Sequence, residues 1–370
     1  MLVIHPGLSI LAGGEFLCLN VIKAAQEAGF EVILASDSVD LKKVEVTYGM
    51  SDIFDRLKWI RLPQFREFFP KLRAFQTIPY GRMVKRFLLD RVAGEDVGVV
   101  FSTQSSIFDV PGARSYHFCY GSYNDLFVYP FAFYRENYRP YNFIVKKLVR
   151  ALIGPPPSPT WILALSSLVL DNLRQNHYGN ASTIYPPTQL MFTPKATRKK
   201  RIVQASRFTP GKRLEWFCEI AKRVPEYDFS LVCRDEPNLR RLTPGYAEKI
   251  LASLPQNVEY VSSPIRQVPE YFEESKVHLY TGLEPSIALV LVEAIGAGCI
   301  PIAPYGTGTA EVIETLGIGY QYNTIYEAVN CVRKAIESDV DPVEISRRAQ
   351  LYSPENFRDK IKEIVSRPAL

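Results

Sequence analysis

The hydrophobic pattern of the chain alternates between short apolar runs and amphipathic stretches with helical spacing. MLVIH (1–5) predicts a buried strand, and a second apolar run at 31–35 predicts the next one. Between them the pattern predicts a helix that begins at about Glu15 and ends at Gly29. Apolar strands that alternate with helices are typical of a parallel sheet covered by helices on both faces.

The alternation starts again after residues 186–201, which are rich in proline, threonine and basic side chains, as an interdomain linker would be. Strands are predicted at 201–206, 229–233, 277–280 and 300–303, and helices at 213–223, 286–297, 324–337 and 354–364. We therefore expect an α/β protein of two doubly wound, Rossmann-like domains that face a central cleft, where such sheets bind ligands. The expected domains are 1–187 and 188–352, followed by a C-terminal helix in 353–370 that can cross back to the first domain.

Length and composition are those of a globular protein. The 370 residues suffice for two domains, and 47% apolar with 22% charged residues excludes a disordered chain. Uncharged apolar stretches fall short of the roughly 18 residues that a membrane-spanning helix needs. The opening MLVIHPG lacks the basic region of a secretion signal, and the six cysteines form no CxxC pair, so we expect a cytoplasmic protein. The four histidines show no metal-ligand spacing, and we expect neither a metal nor a cofactor.

Gly13 and Gly14 stand in an AGGE turn between the first strand and its helix. Glycines there let the backbone approach a phosphate closely, and the helix N-terminus adds N–H donors. The spacing differs from the GxGxxG fingerprint and disfavours NAD binding. A plain tight turn is the alternative interpretation.

Arg207 and Lys212 lie in SRFTPGKR, directly after the strand that opens the second domain. Two cations at the carboxyl end of a parallel strand can grip a diphosphate, the arginine through two hydrogen bonds and the lysine as a point charge. A solvated basic turn is the alternative.

Residues 282–312 combine two carboxylates with a glycine-rich turn. Glu284 lies on a loop, and Glu293 lies in an apolar helix where an unpaired carboxylate is costly to bury. A ribose diol could donate to Glu293 through both hydroxyls, and an ion pair with an arginine is the structural alternative. Thr309, in the following GTGT turn, is a further candidate donor-binding residue.

His117 is predicted at the end of a strand, where it could polarise a leaving group or bind an acceptor phosphate. A satisfied structural histidine is the alternative. His5 allows the same two interpretations, whereas His177 and His278 are expected to be structural.

Together these motifs resemble the GT-B glycosyltransferases, and specifically the retaining enzymes of family 4. The resemblance covers nearly the whole chain and rests on Gly13–Gly14, the stretch 164–187, Arg207 with Lys212, Glu284 with Glu293, and GTGTAEV. HPGLSILAGGE, YHF around His117 and IYPP are most similar to mannosyltransferases of dolichol-linked oligosaccharide assembly.

The resemblance implies roles for these residues. Arg207 and Lys212 would neutralise the donor diphosphate, Glu293 would hold the donor ribose, and Glu284 would lie near the sugar. Gly13 and Gly14 would leave room for the diphosphate, and His117 would stand near the sugar and the acceptor. The implied donor is a GDP- or UDP-sugar, and transfer would proceed with retention, without a protein nucleophile or a bound metal.

The sequence departs from the family pattern at the first glutamate. Eight residues separate Glu284 from Glu293, where the family has seven. Either the loop holds one extra residue, or Pro285 occupies the glutamate position and Glu284 reaches the site differently. The second domain also has Cys233-Arg234-Asp235 where a Gly-x-Gly turn is usual.

The net charge of +5 is unevenly distributed. Two aromatic and basic insertions are predicted at 56–90 and 129–153, and residues 56–86 alone hold nine Lys or Arg and one Glu. Cations beside bulky rings suit an anionic membrane surface, so we expect a peripheral membrane protein with a lipid-linked or glycan acceptor. A solvated basic face is the alternative. Nucleic-acid binding is disfavoured, because no nucleic-acid-binding motif accompanies the patch.

The sequence therefore favours a glycosyltransferase that transfers a hexose from a nucleotide-sugar to a glycan or lipid-linked acceptor. Mannose is the favoured hexose. A nucleotide-sugar epimerase, a transferase to a soluble acceptor and a catalytically impaired binding module are the alternatives.

Overall fold

The computed structural model describes residues 1–9, 12–64, 73–104, 108–121, 160–234, 245–262 and 268–366. The chain forms two compact units. The first comprises Met1–Pro187 with Pro354–Leu370, and the second comprises Thr188–Ser353. The insertion predicted at 129–153 lies outside the described residues, as do the predicted turn residue Asp235 and the side chain of Arg234.

A parallel sheet forms the centre of the first unit. Its described strands are β1 Leu2–Ile4, β2 Val32–Ser36, β3 Leu57–Arg61, β4 Val99–Ser102, β5 Arg114–Cys119, β6 Thr160–Ala164 and β7 Ala181–Thr183. They pair in the order β3-β2-β1-β4-β5-β6-β7. The direction of winding therefore reverses between β1 and β4, which leaves a crevice at the carboxyl ends of these two strands.

Helices cover both faces of this sheet. They are α1 Gly13–Glu27, α2 Leu41–Tyr48, α3 Arg73–Val92, α4 Ser167–Gln175 and, from the C-terminal region, α12 Pro354–Ser366. One apolar cluster joins α1 and α12 to the sheet, and a second cluster joins α3 to the opposite face. Two separate clusters on one sheet are what a doubly wound unit requires.

Helix α12 packs against α1 and the sheet of the first unit. The rings of Phe118 and Phe357 lie 6.2 Å apart, and Arg358 Nη1 donates to Asn20 Oδ1 at 3.0 Å. Arg114 Nη2 donates to the carbonyl of Val365, also at 3.0 Å. The C-terminal helix is thus held by apolar packing and by hydrogen bonds near both of its ends.

The second unit repeats the topology of the first. Its described strands are β8 Lys199–Arg207, β9 Asp228–Arg234, β10 Val258–Ser262, β11 Ser275–Leu279, β12 Ile300–Pro304 and β13 Tyr320–Tyr322. Its helices are α5 Leu214–Lys222, α6 Tyr246–Ala252, α7 Val268–Glu274, α8 Leu289–Gly296, α9 Gly308–Leu316, α10 Ile325–Glu337 and α11 Pro342–Ala349. The strand order is β10-β9-β8-β11-β12-β13, with all pairs parallel, and the winding reverses between β8 and β11. The prediction of two doubly wound parallel-sheet domains is confirmed.

Part of the stretch predicted as an insertion at 56–90 is regular structure of the first unit. Strand β3 pairs with β2 over its whole length, and α3 begins at Arg73. The sequence did not predict β3, because this edge strand lacks an apolar run. Ile60 is its buried side chain, while Lys58, Trp59 and Arg61 are exposed.

His278 lies fully buried in β11, as expected of a structural histidine. Its ring meets Phe272 edge-on, with 5.5 Å between the centroids, and neither ring nitrogen has a hydrogen-bond partner among the described residues. Burial lowers the pKa of His278 to about 3, so the imidazole is neutral and packs as an aromatic ring. No helix in the described ranges is both long and apolar enough to cross a bilayer.

Candidate functional site

The winding of the second sheet reverses between β8 and β11, and we call the carboxyl ends of these two strands its switch point. The cations predicted from SRFTPGKR lie there. Arg207 is the last residue of β8 and is exposed. A short 3₁₀ turn, Pro210–Lys212, follows, and Arg213 then adopts a left-handed conformation with φ 51° before α5 begins. Stacking of the Arg213 guanidinium on Trp216, 3.4 Å from the ring centroid, accompanies this conformation. The sharp turn keeps Lys212 at the carboxyl edge of the sheet.

Lys212 lies at the centre of a polar cluster that we call the Lys212–Tyr280–Glu284 triad. Its Nζ is 2.6 Å from Glu284 Oε1 and donates to the Tyr280 hydroxyl at 2.7 Å. That hydroxyl donates in turn to Glu284 Oε2 at 2.6 Å. The three side chains therefore form a closed ring of charge-assisted hydrogen bonds.

Hydrogen bonds from side chains near the triad fix its position between β8 and β11. The Thr281 hydroxyl accepts from Gln204 Nε2 at 3.0 Å and donates to the carbonyl of Lys212 at 2.7 Å. The carbonyl of Tyr280 accepts from the Tyr322 hydroxyl at 2.8 Å. Because Gln204 belongs to β8 and Thr281 follows β11, the turn that carries Lys212 is tied to both strands.

The triad is shielded from water. The Lys212 side chain is 15% exposed and that of Glu284 is 31% exposed. Burial lowers the pKa of Lys212 and the charge of Arg207 lowers it further, while Glu284 opposes both effects. Burial, together with Glu284, raises the pKa of Tyr280 well above its usual value, so Tyr280 stays a neutral hydroxyl.

The loop that carries Glu284 packs against the start of α9. Gly308 N donates to the Glu284 carbonyl at 3.2 Å, and Ala288 N donates to Thr309 Oγ1 at 3.3 Å. Thr307 caps the helix by accepting from Ala310 N at 3.0 Å. The predicted residue Thr309 is thus fully buried with its hydroxyl engaged inside the fold.

Glu293 lies in α8, among apolar side chains that are almost all buried. It is half-buried, and no donor in the described part of the chain bonds to its carboxylate. Burial raises the pKa of Glu293 to about 7, because the site disfavours the charged form. The ion pair with an arginine, left open from the sequence, is absent among these residues, and the carboxylate keeps its capacity to accept from a ligand.

The switch point of the first sheet contains the predicted glycines. Gly13 and Gly14 are the first two residues of α1, whereas the sequence placed them in a loop before a helix starting at Glu15. The helix starts earlier because Glu15 Oε2 accepts from Ala12 N at 3.0 Å and closes its first turn. Gly14 faces two polar groups, since a Cβ there would lie 3.5 Å from Gln104 Nε2 and 3.6 Å from the Tyr120 hydroxyl.

His5 follows β1 and is fully buried beside these residues. The Thr103 hydroxyl donates to the Ile4 carbonyl at 3.0 Å and so accepts from His5 Nδ1 at 2.8 Å. His5 Nε2 lies 3.8 Å from Glu15 Oε1. Burial alone would lower the pKa of His5, but Cys18 and Glu15 outweigh it and raise the pKa to about 9. His5 Nε2 therefore faces the carboxylate that closes the first turn of α1.

His117 does not stand at a strand end. It is the fourth of six residues in β5, registers with Ser102 on one side and Ile162 on the other, and is fully buried. The strand continues to Cys119 because the apolar residues after His117 pack between the neighbouring strands.

The structure brings some of the predicted residues together. Lys212 and Glu284 are in direct contact, and Arg207, Glu293 and Thr309 belong to the same unit. Gly13, Gly14 and His117 belong to the first unit. No group of three or more potential metal ligands occurs within the ranges that the structure describes.

Sequence reasoning missed Tyr280, which bridges the triad. One signal could have identified it, since Tyr280 is the last residue of a predicted strand and precedes Glu284 by four residues. The carboxyl ends of adjacent parallel strands share one edge of the sheet, so a polar residue after β11 must lie near one after β8.

No protein-family model matches the sequence, and no curated protein sequence is significantly similar to it. Solved structures, by contrast, match over almost the entire chain. WaaG, a glycosyltransferase involved in lipopolysaccharide biosynthesis, is 15% identical with a TM-score of 0.69, covering 99% of this chain and 100% of WaaG. HepE from Anabaena, in complex with UDP and glucose, is 13% identical with a TM-score of 0.67, covering 99% of each chain.

A third structure gives the same result. Sucrose-phosphate synthase from Thermosynechococcus elongatus is 16% identical with a TM-score of 0.70, covering 98% of this chain and 97% of the synthase. At these identities the similarity concerns the fold, which extends over both units and the returning helix α12. The chain has the GT-B fold that these glycosyltransferases share.

Proposed function

We propose that the protein is a glycosyltransferase that uses a nucleotide-sugar donor. The observation that carries the proposal is the position of Lys212, a shielded cation at the switch point of the second sheet with Arg207 on the preceding strand end. Ligands of doubly wound sheets bind at this point, and a pair of cations there suits a diphosphate. HepE, which shares the fold, has been solved in complex with UDP and with UDP-glucose, and this supports a nucleotide-sugar donor.

In this proposal the donor diphosphate lies against Lys212 and Arg207. The Thr309 N–H, at the positive end of α9, is a third donor for a phosphate oxygen. As the bond between the sugar C1 and the phosphate oxygen breaks, negative charge grows on the leaving diphosphate. Lys212 and Arg207 stabilise that charge, which is how the site lowers the barrier.

Glu293 is the proposed ribose ligand. Two hydroxyls of a vicinal diol can donate to one carboxylate, and this supplies the partners that Glu293 lacks in the described part of the fold. In the first unit, Gly13 and Gly14 leave space for the diphosphate, and His117 acts near the sugar and acceptor.

The finer assignments follow the sequence resemblance. We propose retention of configuration, with the acceptor hydroxyl attacking C1 on the face that the diphosphate leaves and its proton passing to a leaving phosphate oxygen. No protein nucleophile is then needed. A hexose donor, mannose in particular, and membership of the retaining family 4 belong to the same proposal.

A panel of GDP-, UDP- and ADP-sugars, followed by thermal unfolding, tests the proposal. The correct donor is expected to stabilise the protein by about 2.7 kcal/mol at 100 times its Kd. Because Glu293 has a pKa of about 7 and binds the diol as a carboxylate, donor affinity should rise between pH 6 and pH 8. Glu293→Gln should weaken binding and remove this rise.

The control for that pH profile is Glu314→Gln, which removes an exposed carboxylate from α9 in the same unit and should leave binding unchanged. Stabilisation without turnover by any acceptor would indicate a binding module. If no nucleotide-sugar stabilises the protein, the proposed donor class is wrong.

We further propose that the acceptor is lipid-linked and that the basic segment 56–90 contacts an anionic membrane. Exposed Trp59 and Arg61 in β3, together with exposed Arg56 and Arg86, support this. Lys58 and Lys85 are paired with Glu95 and Asp109, and so add less charge to the surface.

Liposome flotation tests the membrane contact. Replacing Arg56, Arg61 and Arg86 with serine should reduce binding to phosphatidylserine vesicles about tenfold or more, because each basic residue near such a surface contributes about 1 kcal/mol. The control replaces three exposed cations of the second unit with serine: Lys222, Lys249 and Arg333. Equal losses in both triple variants, or wild-type binding that salt does not weaken, would refute the proposed surface.

A further inference from the structure

Glu284 occupies one hydrogen-bonding position of the Lys212 ammonium and partly neutralises its charge. The Lys212 ammonium contacts a carboxylate oxygen at 2.6 Å and a hydroxyl at 2.7 Å, so two of its three N–H groups are engaged. A diphosphate that binds Lys212 must therefore either displace the Glu284 carboxylate or accept a negative charge beside its own. Two negative charges this close in a shielded site repel each other strongly.

We infer that Glu284 is an internal competitor for the donor diphosphate, held on Lys212 by Tyr280, and that the donor binds by displacing the Glu284 side chain. The inference rests on the proposed function for the identity of the ligand, a nucleoside diphosphate. Tyr280 is a positioning residue in this scheme, because it acts through Lys212 and Glu284.

The local fold allows the side chain of Glu284 to move while its backbone stays in place. The Glu284 carbonyl accepts from Gly308 N and fixes the loop, whereas the carboxylate is held, among the described residues, by Lys212 and Tyr280. The Glu284 side chain is also the most exposed of the triad, at 31%, so water can solvate the carboxylate after it is displaced. Gly282 provides room for the closed arrangement, since a Cβ there would collide with Glu284 Oε2 and the Tyr280 hydroxyl.

Tyr280 determines how firmly the competitor is held. Its hydroxyl accepts from Lys212 and donates to Glu284, and its ring lies under the ammonium, 5.1 Å from Nζ. When Glu284 leaves, the hydroxyl and the ring still hold Lys212 in place. In this scheme Glu284, which is separated from Glu293 by eight residues, serves as a counterion of Lys212.

Calorimetric titration with inorganic pyrophosphate and with UDP and GDP tests the inference. Glu284→Gln removes the competing charge and should tighten pyrophosphate binding about tenfold or more. Tyr280→Phe should tighten it by a smaller factor in the wild-type background, and this gain should disappear in the Glu284→Gln background, because the hydroxyl then has no carboxylate to hold on Lys212. A glutamate that bound the sugar would have no such effect on pyrophosphate.

Glu337→Gln is the matched control. It removes the carboxylate from another lysine pair of the same unit, in which Lys200 Nζ lies 2.9 Å from Glu337 Oε1 at the opposite end of β8. This variant should leave pyrophosphate affinity unchanged, which separates the local competitor from the general loss of negative charge.

The outcomes distinguish the inference from the proposed function. Unchanged or weaker pyrophosphate binding in Glu284→Gln, with sugar transfer present in the wild type, overturns the inference alone. Tighter pyrophosphate binding without transfer from any nucleotide-sugar supports the inference and overturns the proposed function. If neither pyrophosphate nor a nucleotide binds to the wild type or to any folded variant, both are wrong.

Discussion

Replacing Lys212 with methionine is expected to lower kcat/KM for sugar transfer about 10²- to 10³-fold. Methionine keeps most of the side-chain volume and removes the charge that would stabilise the leaving diphosphate in a shielded site, where one preorganised donor contributes about 2.7–4 kcal/mol. The measurement is transfer from the donor that the stability panel identifies. Lys212→Arg should recover only part of the rate, because a planar guanidinium cannot reproduce the compact charge of the ammonium or its contact with Tyr280.

The control for Lys212→Met is Lys200→Met. Lys200 also pairs with a carboxylate in the second unit, but it lies at the amino end of β8 and is 61% exposed. Its loss should change kcat/KM by less than about twofold, since exposed ion pairs contribute little. A Lys212→Met enzyme that keeps rates close to the wild type would exclude Lys212 from diphosphate binding.

Gly308→Ala is expected to destabilise the second unit by about 3 kcal/mol, as overpacking against rigid neighbours does. The new Cβ would collide with the Pro285 carbonyl oxygen and with the backbone of Ser286, and backbone atoms cannot turn aside as a flexible side chain can. The collision would also separate Gly308 N from the Glu284 carbonyl and so release the loop that carries the triad. Urea unfolding measures the loss.

Gly306→Ala, in the same turn, is the control for this substitution. Gly306 has φ 69° with no atom within 4 Å of a new Cβ, so alanine there should cost only about 1–2 kcal/mol of left-handed strain. Equal losses at the two positions would show that turn conformation, and not the close approach to the Glu284 loop, requires glycine at Gly308.

The alternation of apolar strands and helices was sufficient to predict two parallel-sheet domains and some of their central strands, because buried parallel strands are nearly continuous apolar runs. Strand β8 and helix α10, for example, were predicted to within about two residues at each end. Strand β3 escaped prediction because a single buried side chain leaves no apolar run to read. The sequence predicts a strand at His117 but places its end two residues too early, since the strand end depends on packing against β4 and β6.

The candidate site was only partly predictable, for a different reason. Local spacing placed Lys212 at the carboxyl end of a strand and Glu284 on a loop, yet their direct contact depends on the order of the strands, which brings β8 beside β11. The role of Tyr280 likewise appears only when the two strand ends are adjacent. The Thr309 hydroxyl accepts a hydrogen bond from Ala288 N in the loop before α8. The turn motif could not predict this contact, because the two residues are 21 positions apart.

Helix α12 has a consequence for the order in which the protein is completed during translation. The first unit needs Phe357 and Arg358 to cover α1 and the face of the sheet that holds Phe118, yet these residues follow the entire second unit in the chain. The second unit is one continuous segment and has all its residues available earlier than the first. The half of the protein that the ribosome makes first is therefore finished last, and until then its apolar face is exposed to chaperones and proteases.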